Sequence, residues 1–75
     1  MNSTIRREPA NREAYVRVTR SQFDYPQILS AYTAVTEWMN AHGQTASGPP
    51  REIRLADLRS AALTDEVCDV AFPLS

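Results

Sequence analysis

The sequence predicts an α+β fold: an antiparallel three-stranded sheet with one helix packed on one face, in the order β-α-β-β, paired as a homodimer. Three observations predict it. Residues 13-EAYVRVTRSQ-22 alternate apolar and polar side chains, residues 26–42 carry apolar side chains at helical spacing, and 66-EVCDVAFP-73 alternates again before a proline. A period of two marks a half-buried strand, and a stripe at i, i+4, i+7 marks an amphipathic helix. Strands of this kind beside a single helix form a sheet covered on one side.

The elements follow in order. Residues 1–12, MNSTIRREPANR, hold Ile5 as the only large apolar side chain after Met1 and read as a flexible arm, leaving residues 13–75 as the single folded unit. In the first strand Ala14, Val16 and Val18 alternate with Tyr15, Arg17 and Thr19. The turn 23-FDYP-26 leads into a helix from about Pro26, which suits a first turn because its missing N–H has no intrahelical partner there. Gly43 supplies the C-terminal stop. Ile28, Tyr32, Val35 and Met39 form the stripe, widened by Leu29 and Thr36, with Trp38 at its edge. After the loop 43-GQTASGPP-50 comes a strand, 51-REIRLAD-57, with Ile53 and Leu55 on one face and Glu52, Arg54 and Ala56 on the other. Residues 57–66 read either as a helical turn or as an irregular hairpin connection. The last strand closes at Pro73, a residue suited to a strand end.

Composition narrows the function. Seventy-five residues make one domain, and a domain of this size often gains stability from disulfides, metals or oligomerisation. Cys68 is the lone cysteine, which leaves no intrachain disulfide, and no metal-ligand spacing or cofactor motif is visible, so pairing of two copies is the expected source. The net charge is −1 and the isoelectric point about 5.7, so the chain has no global basic footprint for nucleic acid. The N-terminus lacks an apolar leader and no run is long enough to span a membrane, so a cytoplasmic protein without membrane partners is expected.

One residue carries the question of function. On the last strand Cys68, Val70 and Phe72 share a face, and Val67, Asp69 and Ala71 share the other. The first set is the more apolar and belongs under the helix, with Ala14, Val16, Val18, Ile53 and Leu55. Asp69 then lies on the face away from the helix with Tyr15, Arg17, Thr19, Glu52, Arg54, Val67 and Ala71. That face is either an ordinary solvated sheet surface with cross-strand ion pairs or a ligand surface. In the second case Asp69 is a charge in a partly dry groove, Tyr15 an aromatic wall, Arg17 and Arg54 its cationic neighbours and Ala71 its floor. Trp38 reads either as a helix–sheet packing residue or as a ligand platform.

The helix end AYTAVTEWMNAHG, the following SGPPREIRLAD and the terminal VCDVAFPL together resemble the GyrI-like domain, the small-molecule-binding domain that also serves as the effector domain of MerR-type multidrug-sensing regulators. The resemblance covers nearly all of the chain after residue 12. It implies one β-α-β-β half of a fold whose two halves enclose a groove for aromatic or lipophilic, often cationic, compounds; here two chains would rebuild the pair. The family places a glutamate four residues before the last strand's proline, facing the groove; Asp69 stands there and is shorter by one methylene. Where the family often has tyrosine near the end of the preceding strand, this chain has Arg54, a cation beside Asp69. The implied role is non-catalytic sensing or sequestration of a small hydrophobic ligand, without DNA binding by this chain alone. Two rivals stand beside it. One is a protein–protein inhibitor or adaptor working through the open sheet. The other is a hydrolase of reactive small molecules in which Asp69 and Tyr15 position a water.

Overall fold

The computed structural model describes residues 3–8 and 11–75. The fold is α+β, but the sheet has four antiparallel strands and there are two helices. In chain order these are β1 (Ser3–Glu8), β2 (Asn11–Thr19), α1 (Arg20–Phe23), α2 (Ile28–Ala41), β3 (Arg51–Arg54) and β4 (Glu66–Pro73). Across the sheet the order is β1-β2-β4-β3, so β2 and β4 are central and β1 and β3 are the edges.

The added strand is the first correction. Where an arm was expected, Ser3–Glu8 pairs with β2 from Ser3 opposite Val16 to Glu8 opposite Asn11. Met1, Asn2, Pro9 and Ala10 lie outside the described residues. A single large apolar side chain is enough here because β1 is an edge strand. Ile5 lies opposite Ala14 and packs against the core, while the other side chains can be polar. Charged residues on an edge also discourage pairing with other chains.

The helix layer is close to expectation. α2 buries Ile28, Ala31, Val35 and Met39, a stripe at i, i+3, i+7 and i+11. Tyr32 is half-buried at its margin, and Leu29, expected to widen the stripe, is exposed. Gly43 ends the helix at φ +66°, and two backbone bonds close the end: Gln44 N–H to Met39 O at 2.9 Å and Gly43 N–H to Asn40 O at 3.4 Å. That pair of bonds is the Schellman arrangement, which needs a left-handed residue where Gly43 stands. The helix begins at Ile28, and Pro26 lies in the preceding turn. α1 is one turn, with the Thr19 N–H bonded to Gln22 Oε1 at 2.9 Å. It sets Phe23 against the core.

Two face assignments change, both for reasons of register. Ile53 lies opposite Asp69, and Glu52 and Arg54 lie opposite Val70 and Cys68, so β3 has its faces the other way round. Because side chains alternate, a one-residue difference inverts the whole strand. Glu52 accepts a hydrogen bond from the Tyr32 hydroxyl, and the Arg54 guanidinium lies 5.3 Å from the Phe23 ring centroid. Both sit on the helix side, at its rim. On β4 the pairing shifts by one residue between Val18–Cys68 and Thr19–Glu66. This leaves Val67 as the extra residue of a bulge, and it joins the core cluster instead of the outer face.

Residues 57–65 form no regular element. Turns tie them locally, through Asp57 Oδ1 to the Arg59 N–H and Asp65 Oδ2 to the Ala62 N–H. Backbone bonds from Arg20 N–H to Asp65 O and from Ser21 N–H to Leu63 O fasten them to α1. The core cluster lies between the sheet and both helices, so the core side chains of α1 and α2 all meet one face of the sheet.

Candidate functional site

Alternation along β2 puts Glu13, Tyr15 and Arg17 on the face away from the helices, and alternation along β4 puts Asp69 and Ala71 there. From β1 come Thr4, opposite Tyr15, and Arg6, opposite Glu13. From β3 come Arg51, opposite Ala71, and Ile53, opposite Asp69. The charged members of this set form one connected network across all four strands.

Asp69 is at its centre and is wholly buried. Its Oδ1 accepts from Arg17 Nε at 2.7 Å, and its Oδ2 accepts from Arg17 Nη2 at 3.1 Å and from Arg6 Nη1 at 2.5 Å. Arg17 therefore holds the carboxylate with a two-pronged fork, a geometry suited to guanidinium and carboxylate. Arg6 reaches from β1 past β2 to get there, and its Nε also donates to Glu13 Oε1 at 2.5 Å. Glu13 is 2% exposed and accepts at Oε2 from Arg51 Nη2 at 2.6 Å. The Arg51–Glu13 bond spans β4, and Ala71, at that crossing, is fully buried. Tyr15 stands within the network, its ring 4.2 Å from the Arg6 guanidinium carbon and 5.9 Å from that of Arg17. These are cation–π distances.

The electrostatics follow from this arrangement. Burial by itself pushes the Asp69 carboxyl up, but the hydrogen bonds and charges of Arg17 and Arg6 outweigh it and hold the group below the usual carboxylate range. Glu13 behaves alike: burial opposes ionisation, and Arg6 and Arg51 more than offset it. The bond to Asp69 raises Arg17 further above its ordinary value. Among the described residues no buried side-chain nitrogen or oxygen lacks a hydrogen-bond partner. A buried polar network stabilises when all its members are satisfied, and this one meets that condition.

Of the six residues singled out by sequence, the structure brings together Asp69, Tyr15, Arg17 and Ala71. It separates the other two. Arg54 is on the helix side of the sheet, so the cations beside Asp69 are Arg6 and Arg17 instead. Trp38 is on α2, stacked on His42 with ring centroids 4.1 Å apart and held by a 2.8 Å contact between His42 Nδ1 and the Trp38 carbonyl. It is a helix-terminus residue on the other side of the sheet from Asp69. Sequence reasoning missed Arg6, Glu13 and Arg51. Glu13 was within reach, since it continues the i, i+2, i+4 series of Tyr15 and Arg17. Arg6 and Arg51 were not, because the strand at residues 3–8 and the register of β3 decide where they stand.

Cys68 is buried on the helix side, where burial pushes its thiol up, as befits a small apolar side chain. Among the described residues no group of three or more His, Cys, Asp or Glu is placed to hold a metal ion, and no helix is long and apolar enough to cross a membrane. No family model, curated protein or solved structure matches the chain.

Proposed function

We propose that this chain is a non-catalytic small-molecule-binding module that works as a homodimer, with its ligand held against the sheet face opposite the helices. The observation that carries this reading is the network itself. A sheet face with no helix packed on it normally carries mobile, solvated charges. Here it carries a fully paired lattice of three arginines and two buried acids around one half-buried tyrosine. Side chains locked by their neighbours make a preorganised surface, which lowers the ordering cost of binding.

The GyrI-like resemblance gives the same face to a ligand and supplies the pairing of two halves. The role that fits is sensing or sequestration of an aromatic or lipophilic compound. The catalytic alternative has less support. A general base at Asp69 would need contact with its substrate and a proton affinity near the working pH, whereas the carboxylate is buried and paired with two arginines and its proton affinity is lowered.

A native mass spectrum of the purified full chain tests the proposal. The expected result is a dimer, with an additional small mass when ligand is retained. A monomer at micromolar concentration contradicts the two-sheet groove and favours an adaptor that offers the open sheet to another protein.

A further inference from the structure

The resemblance points toward cationic ligands, whereas the side chains of this face point the other way. We propose that the ligand of this face is an anion, an aromatic or lipophilic carboxylate held by Arg17 and Arg51 beside the Tyr15 ring. This rests on the reading of the sheet face as the ligand surface.

Solvent reaches the charges of this face unequally. Asp69 is fully buried and Glu13 is 2% exposed, and all four of their carboxylate oxygens already accept guanidinium N–H groups. A cation arriving at this face would find both acids buried and each of their oxygens already engaged by an arginine. The arginines are different. The Arg17 side chain is 40% exposed and that of Arg51 is 58% exposed. A guanidinium has five N–H donors. Arg17 uses Nε and Nη2 on Asp69, and Arg51 uses Nη2 on Glu13. The remaining donors belong to side chains that solvent reaches, and a carboxylate can take two guanidinium N–H groups at once.

Charge adds to this. Three guanidiniums and two carboxylates leave the network at +1, against −1 for the whole chain. Glu66 lies near Arg17 but is exposed, where water and salt screen it. Two copies facing each other would bring two such positive networks together. An anion between them offsets that repulsion, whereas a cation adds to it. Tyr15, opposite Ala71 on β4, with Arg51 next in the same row, supplies the ring surface for an aromatic group.

The test compares three probes of one shape on the full chain: 1-naphthoate, 1-naphthamide and 1-naphthylmethylammonium, titrated by calorimetry. The expected result is that naphthoate binds at least about tenfold more tightly than the other two, a margin typical of one good charge-assisted contact. Arg51→Gln is expected to remove that margin, weakening naphthoate binding more than naphthamide binding. Arg51→Lys, which keeps the charge and loses the fork, is expected to retain only part of it, and it serves if the Gln variant does not fold. Equal binding of the three probes, tighter binding of the ammonium, or naphthoate binding indifferent to both Arg51 variants would overturn the anion assignment and leave the sheet-face reading standing. Binding of none of the three would overturn both.

Discussion

Taking the Asp69 carboxylate out of water costs several kcal/mol unless charge and hydrogen bonds offset it. Arg17 and Arg6 supply that offset, so removing the charge should be expensive. Asp69→Asn is expected to cost about 3 kcal/mol in urea denaturation, the lower end for breaking a buried pair, because both arginines keep some access to solvent. The pH dependence has a definite sign. Asp69 and Glu13 have lower pKa values in the folded chain than in the unfolded one. As pH falls, the unfolded chain takes up the protons first. Their contribution is complete above about pH 5 and is lost as pH drops through about 4 and below. Urea midpoints measured across that range should fall for the native sequence and fall less steeply for Asp69→Asn. Tyr32 gives the opposite sign. Burial and its bond to Glu52 push it up to about 12. Its contribution holds below the ordinary tyrosine value and disappears as pH rises through the folded one. Ultraviolet difference titration should show a late-ionising phase that Tyr32→Phe removes. The side of the sheet that holds Asp69 was legible from alternation alone. Its neighbour Arg17 was legible by the same alternation; Arg6 was not, because only the pairing of residues 3–8 places it, and Arg54 was misplaced by the register of β3.

At the level of elements, α2 was the most legible, since its stripe and its terminal glycine are local signals. Gly43→Ala isolates the second of these. A β-carbon there would meet nothing within 4 Å, so the penalty comes only from the left-handed backbone, about 1 kcal/mol. A change in urea midpoint of that size is expected, and no change would mean that the cap tolerates a side chain. β1 was illegible because an edge strand needs one inward apolar residue, and Ile5 sits among charged neighbours. Deleting residues 1–8 distinguishes a strand from an arm. It removes Arg6, which is bonded to both buried acids. The truncated chain is expected to lose at least about 3 kcal/mol, whereas removal of an arm would leave stability unchanged. β3 and Val67 were misassigned for a related reason. A four-residue edge strand rich in charge has no clear apolar face, and a bulge breaks the alternation that sequence reading depends on.

On the scale of the molecule, the helices and the core occupy one side of the sheet and the charge network the other. The accessible surface is 4733 Å² for 8.4 kDa, close to the roughly 4600 Å² expected of a compact monomer. The case for a partner rests on the character of the open face. The most direct measurement is an isotope-filtered NOE spectrum on a mixture of labelled and unlabelled protein. Cross-peaks are expected, from a second copy or a bound ligand, at the Tyr15 ring and at Ile53, on the face that also holds Asp69. Cross-peaks confined to the exposed side of α2, at Leu29, Thr33 and Ala34, would contradict the sheet-face reading, as would no intermolecular contact at all.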